Sequence, residues 1–205
     1  MSKPLFLPYF AGMQRQNIHQ HIITTAGDLF YANGYHATGI NEIISKCSIA
    51  KATLYSHFKS KEDICIAYLA QRHEGFINGL KGYVSRRKIG KNQLLAIFDY
   101  LTDIYREDVF FGCWALKTLG ELSARQERIF LTIQKQKKEL LLYLGEVVVD
   151  NVHNVSKAEI EQVSGGIYLL YESAITEANL FKNAWPIYLA KSTAPSFFAH
   201  LDLKT

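Results

Sequence analysis

Proline and cysteine are scarce in this chain of 205 residues, and acidic residues are scarce in its first third. The four prolines are Pro4, Pro8, Pro186 and Pro195, so nothing between Tyr9 and Trp185 is proline. A stretch of that length without proline but with glycines at intervals reads as helices punctuated by short turns. Clean period-two alternation bounded by hairpin turns is also missing, so strands are not needed. The three cysteines, Cys47, Cys65 and Cys113, are odd in number and fit no metal motif. The seven histidines show no ligand spacing either. His19 and His21, for example, stand two apart and face different sides of a helix. No metal and no cofactor are expected. No apolar run is long enough to span a bilayer, so no membrane association is expected. The apolar start from Met1 to Phe10 is short and broken by two prolines, which does not match a secretory leader. A reducing, cytoplasmic setting follows as the default.

What is present is core material: 48% of the chain is hydrophobic, with 12 Phe and 12 Tyr. Disorder over most of the length is excluded by that composition. The net charge of +4 is unevenly spread. Through Lys61 there are six bases (Lys3, Arg15, Lys46, Lys51, Lys59, Lys61) against Asp28 and Glu42, while the remaining 144 residues hold 17 bases and 17 acids. A cationic module on a neutral body suits a polyanion-binding head attached to something that does another task.

The helical pattern can be followed along the whole chain. Ile18, Ile22, Ala26, Leu29 and Phe30 form the stripe of a helix from about Met13 to Asn33, stopped by Gly34. Thr38 is placed to cap a helix over roughly Gly39 to Cys47, and a third runs from near Ala50 to His57. Ser60 caps a fourth, with Glu62 and Asp63 in its first turn, continuing towards Arg87. Further helices are predicted over Lys91 to Arg106, Trp114 to Ala124 and Arg125 to Asn151. A break is expected from Glu107 to Gly112. Ser156 and Glu159 form a capping box for a helix reaching Phe181, and a last helix runs from Ala184 to about His200 with Pro186 in its first turn. The fold class is therefore all-α, with about nine helices.

Between Thr38 and Lys61 two short helical patterns are joined by a tight turn. Ile40, Ile43 and Ile44 repeat on one side, Leu54 and Phe58 on the next, and polar or basic positions lie between. That is the signature of a helix-turn-helix, which presents one helix end to the DNA major groove.

Gly34-Tyr35, Thr38, Ile40, Ile43, Lys51, Thr53-Leu54-Tyr55, His57-Phe58 and Ser60-Lys61 together resemble the N-terminal DNA-binding domain of TetR-type transcriptional repressors. The similarity covers about Arg15 to Leu69. Gly112-Cys113 followed by Glu121-Leu122-Ser123 looks like a local pattern in one branch of these regulators, although Trp114 through Lys117 depart from it. The family often has a capping residue where Ala50 stands. Alanine has no capping oxygen, which leaves Ser48 to supply one.

The resemblance implies a helix-turn-helix DNA-binding domain over residues 1–60 and a helical ligand-binding and dimerisation domain over 61–205. It makes Lys51 the best base reader, since lysine donates to guanine O6 and N7. Ala52 meets a thymine methyl or simply lets the backbone into the groove. Thr53 serves phosphate or base, and Tyr55 and His57 match positions that touch backbone phosphates. Lys61 and Thr38, at helix starts, add to the attraction for phosphate. For His57 the alternative is a structural link between helices. A small-molecule inducer is expected among Phe76, Phe98, Tyr105, Phe111, Cys113, Trp114, Tyr168 and Tyr171, where the competing reading is ordinary core. Cys113 is either a packing residue or a sensor thiol.

The last two helices carry Ile160, Val163, Ile167, Leu170, Ile175, Ile187, Leu189, Phe197 and Phe198, and by resemblance they pair with their copies in a homodimer. Two recognition helices about 34–36 Å apart would read a palindrome. The resulting expectation is a ligand-responsive repressor of a double-stranded DNA operator. The alternatives are a Cys113-based redox or electrophile sensor and a non-specific DNA-binding protein. An enzyme with Cys113 as nucleophile is disfavoured, because no histidine follows it before His153.

Overall fold

The computed structural model describes residues 7–107 and 110–205, with the backbone alone for 7–16. Lys3, Pro4 and part of the expected 107–112 break therefore lie outside the described residues. Among the described residues there are ten α-helices: α1 Leu7–Asn33, α2 Ile40–Cys47, α3 Lys51–His57, α4 Lys61–Ser85, α5 Lys91–Leu94, α6 Ala96–Tyr105, α7 Trp114–Leu119, α8 Glu127–Asn151, α9 Lys157–Phe181 and α10 Trp185–Thr193. A 3-10 turn, Ala194–Phe197, follows α10. Among the described residues there is no strand, only an isolated antiparallel bridge between Val152 and Leu203. The all-α class holds.

Two expected helices are interrupted. The Lys91–Arg106 segment breaks at Leu95, which caps the end of α5 and the start of α6 with φ −94° and ψ −5°. The last helix tightens at Ala194 into a 3-10 turn, where Pro195 has no N–H to continue the α pattern. By contrast, the capping box of α9 forms as its spacing predicts. Ser156 Oγ accepts from the Glu159 amide, and the Glu159 carboxylate accepts from the Ser156 amide at 2.8 Å.

The chain divides into two compact units, Met1–Arg72 with Trp114–Thr132, and His73–Cys113 with Ile133–Thr205. In the first, Ile22, Ala26 and Phe30 of α1, Ile43 and Cys47 of α2, Leu54 of α3 and Ile64 and Leu69 of α4 are buried. Phe30 packs tilted against Tyr35 and Tyr68, with ring centroids 5.6 and 5.9 Å apart. In the second unit α10 packs on α9 and α6. The ring of Phe197 lies against Gly166, where a side chain would not fit. Asn151 ties loops to α8: its Oδ1 accepts from the Gly90 amide at 2.6 Å while its Nδ2 donates to the Val147 carbonyl at 2.7 Å. Val163, Ile167, Ile175, Ile187 and Phe198, which lie on the helices that the resemblance pairs with their copies, are buried within the chain. The apolar side chains that α9 and α10 leave exposed are Leu169, Leu180, Phe181, Trp185, Tyr188 and Leu189.

Candidate nucleic-acid interface

The turn between α2 and α3 comes from one left-handed residue. Ser48 has φ 54° and ψ 40°, and its amide closes onto the Ile44 and Ser45 carbonyls. The Ile49 amide also returns to Ile44 O, at 3.3 Å. Ala50 is extended, and its carbonyl receives the Thr53 and Leu54 amides at 3.0 and 3.2 Å, so α3 starts without a side-chain cap. Ser48 therefore serves as the C-cap of α2 and does not supply the oxygen that Ala50 lacks. An uncapped start leaves the first amides of α3 with no side-chain acceptor.

Leu54 is fully buried and Phe58 nearly so, which fixes the roll of α3 and turns Lys51, Ala52, Tyr55 and Ser56 outward. Tyr55 is 45% exposed and Lys51 is exposed. Thr53 and His57 are half-buried. His57 lies 5.9 Å, centroid to centroid, from His19, whose ring stacks on Phe58 at 4.6 Å. His57, Phe58, Lys59, Ser60, Asp63 and Arg128 line an open depression of about 660 Å³.

Two residues expected at phosphate face inward. Thr38 is fully buried and its Oγ1 donates to the Gly34 carbonyl at 2.8 Å, while Gly39 takes the N-cap position of α2. Its hydroxyl is used in a turn, not at a surface. Lys61 Nζ donates to Tyr35 O at 3.0 Å and Thr38 O at 3.1 Å, and lies 4.4 Å from the centroid of the Tyr35 ring. Burial lowers the pKa of this ammonium from its ordinary value, a shift opposed by Cys65 and Glu121. Burial likewise pushes the Tyr35 phenol up to about 12, with Cys65 and Glu62 adding to the rise.

Sequence reasoning missed a set of residues that close this unit from far along the chain. Glu121 accepts the amides of Tyr35 and His36 at 3.1 and 2.7 Å, and Lys117 Nζ donates to Tyr31 O at 2.6 Å and Ala32 O at 3.2 Å. Arg128 pairs with Asp63 at 2.9 Å and Glu62 at 3.3 Å. The Glu121-Leu122-Ser123 pattern was the only sequence signal pointing to any of them.

The expected ligand residues are distributed unevenly. In the second unit the Phe76 ring lies 5.7 Å from Tyr100 and 6.0 Å from Tyr171. Tyr171 is almost fully buried, and burial, then Cys113, then Glu172 raise its pKa well above the ordinary phenol range. Cys113 Sγ accepts from Lys137 Nζ at 3.3 Å, and that ammonium also meets Glu172 at 2.6 and 2.8 Å. Tyr168 is half-buried, and its phenol is raised first by burial and then by Glu172. Phe98 is fully buried in α6, Tyr105 sits edge-on to Phe110 at 5.0 Å, and Phe111 is 37% exposed. Trp114 opens α7 in the first unit. Among the described residues no group of three or more His, Cys, Asp or Glu could hold a metal ion, and no helix is long and apolar enough to cross a membrane.

Residues 22–68 match the family model of bacterial regulatory proteins of the tetR family. A helix-turn-helix transcriptional regulator encoded in the lacX 3′ region of Lactococcus lactis is 28% identical over 169 residues, covering 76% of this chain and 84% of its own. The regulator QacR of Staphylococcus aureus is 25% identical over 169 residues, covering 78% and 90%. The crystal structure of a TetR-family regulator from Streptomyces coelicolor superposes with a TM-score of 0.81 at 21% identity, over 91% of this chain and 96% of that one. An exposed helix behind a left-handed turn lies within the residues that match the tetR family model, and the whole chain shares the all-α fold of a TetR-family regulator.

Proposed function

We propose that this protein is a repressor that binds palindromic operator DNA as a homodimer and is released by a small apolar or aromatic inducer. The observation that carries the reading is the outward face of α3, where Lys51, Ala52 and Tyr55 project from a helix locked by buried Leu54. Lys51 reads a base, Ala52 admits the backbone or meets a thymine methyl, and Tyr55, Thr53 and His57 position the phosphates. Lys46 and Lys59, both exposed, add sequence-independent attraction. DNA binding belongs to residues 1–60, and ligand binding and dimerisation to 61–205, in a cytoplasmic protein without enzymatic activity.

One α3 spans only a few base pairs, so a second copy is needed for useful specificity. Leu169, Leu180 and Phe181 of α9, with Trp185, Tyr188 and Leu189 of α10, supply an exposed apolar surface for that copy. Inducer acts by population shift: it favours a state in which α4 tilts and the two recognition helices leave the half-site spacing. The differential affinity is on the order of 1–3 kcal/mol.

Selection of bound duplexes from a random library, followed by gel-shift titration, tests the reading. Enrichment of a palindrome is expected. Equal binding to any duplex of that length would instead indicate a non-specific DNA-binding protein. Sedimentation of Leu169→Glu, expected to shift towards monomer with helicity retained, tests the pairing surface.

The Lys137 ammonium at Cys113 favours a second reading, in which an electrophile or oxidant is the signal. Burial pushes the Cys65 thiol up to about 12 and also raises Cys47, leaving both poorly reactive. If N-ethylmaleimide releases wild-type protein from its operator but not Cys113→Ser, this second reading replaces the reversible inducer.

A further inference from the structure

The segment between Gly34 and Thr38 decides where the helix-turn-helix points, because it connects α1 to α2 and α2 carries α3. Its backbone is held from several directions. Lys61 takes the carbonyls of Tyr35 and Thr38 at 3.0 and 3.1 Å, and Thr38 closes onto Gly34 through both its hydroxyl and its amide. The amides of Tyr35 and His36 go to neither; both donate to the carboxylate of Glu121. The His36 ring repeats the connection, its Nε2 standing 2.6 Å from the Glu121 carbonyl oxygen. Four residues earlier in sequence than Glu121, Lys117 takes the Tyr31 and Ala32 carbonyls at the end of α1.

Gly34 makes room for this arrangement. Its φ is +101°, and a Cβ placed there would stand 2.5 Å from Glu121 Oε1. The turn thus has a recess shaped for a carboxylate, and that carboxylate comes from more than eighty residues away.

We infer that Glu121 is a positioning residue for operator binding: it fixes the Gly34–Thr38 turn through two backbone amides and so sets the angle at which α3 meets the groove. It contacts no base. This role rests on the operator-binding reading above. It also has an electrostatic signature, because a carboxylate in a cationic head opposes DNA non-specifically. Removing it should therefore weaken specific binding while leaving non-specific binding equal or stronger, an opposition that general loss of folded protein would not produce.

The test uses the full-length protein and the palindrome that the wild type itself enriches. Fluorescence anisotropy is measured for wild type, Glu121→Ala and Glu121→Gln on that palindrome and on a scrambled duplex. Two hydrogen bonds to a charged acceptor correspond to a loss of about tenfold or more in specific affinity for Glu121→Ala. Affinity for the scrambled duplex should stay within about threefold or rise. Glutamine keeps one acceptor oxygen at the same reach and should recover part of the loss. Hydrogen exchange of the Tyr35 and His36 amides should accelerate in Glu121→Ala while far-UV helicity is retained.

Equal loss on both duplexes, or specific affinity within threefold of wild type, would overturn the role of Glu121. A wild type that enriches no sequence would overturn the operator reading first, and this role with it.

Discussion

Lys137 Nζ lies 2.6 Å from Glu172 Oε1, in a pair whose side chains are only 18% and 14% exposed. Two desolvated charges contribute little net stability together, but either one left alone is costly. Lys137→Met should therefore lose about 3–5 kcal/mol in urea unfolding, and the double change Lys137→Met/Glu172→Leu should recover most of it. The pH dependence gives a second measurement. Burial opposes the Lys137 charge, but Cys113 and Glu172 outweigh it and hold the ammonium above its ordinary value of 10.5. A raised lysine contributes its stability in full below that ordinary value and loses it as pH climbs through the folded-state value. The gap between wild type and Lys137→Met should be constant through neutral pH and narrow in strong alkali. A gap that widens there would reverse the assigned sign.

The start of α4 behaves in the opposite sense. Ser60 Oγ accepts the Asp63 amide at 3.1 Å and donates to Asp63 Oδ2 at 2.8 Å, and that bond, with Arg128 and Lys59 nearby, holds the carboxyl below its ordinary 3.8. A depressed carboxyl contributes stability above its unfolded value and loses it as pH falls through the folded one. Ser60→Ala should cost about 1 kcal/mol at neutral pH as a lost N-cap. It should also shrink the loss of stability between about pH 4 and 2 that Asp63 protonation causes. Thermal melts of both proteins across that range measure the two effects together.

These elements show what local sequence could and could not disclose. The Ser156–Glu159 box, the Ser60 cap and the buried Leu54 were legible, because each depends on residues three or four apart. The outward face of α3 was legible for the same reason. Thr38 and Lys61 were misplaced because a threonine before a helix and a lysine at its start look alike whether they face solvent or a carbonyl. Which one applies is settled by Gly34 and Tyr35 across the turn. Glu121 was visible only as a pattern without a task, since its partners stand 86 and 85 positions away. Which side chains of α9 a second copy would meet was not legible, because helical spacing marks an apolar stripe without saying whether it is covered by its own chain, as Val163, Ile167 and Ile175 are.

Lys51 offers a direct measure of how α3 reads DNA. If it donates to guanine, Lys51→Ala should cost about 1–3 kcal/mol on the enriched palindrome and relax preference at one base pair per half-site. If it serves phosphate instead, affinity should drop about equally on all sequences and the salt slope should fall by about one per subunit. Repeating the library selection with the variant, alongside salt titrations on both duplexes, separates these outcomes. Tyr55→Phe, which keeps the ring and removes the hydroxyl, should follow the phosphate pattern.

Gly34 and Glu121 can be tested as a pair without DNA. Alanine at position 34 faces two obstacles: a φ of +101°, and Glu121 Oε1 only 2.5 Å from the new Cβ. The backbone obstacle alone is worth roughly 1–3 kcal/mol. The steric one exists only while the carboxylate occupies its recess. In a double-mutant cycle, Gly34→Ala should therefore destabilise the wild type more than it destabilises Glu121→Ala, with a coupling of about 0.5–3 kcal/mol. Chemical unfolding of the four proteins supplies the cycle. Additive costs would mean that the side chain at 121 leaves the recess freely, and the turn would then have to be held by Lys61, Thr38 and the His36 ring on the Glu121 carbonyl.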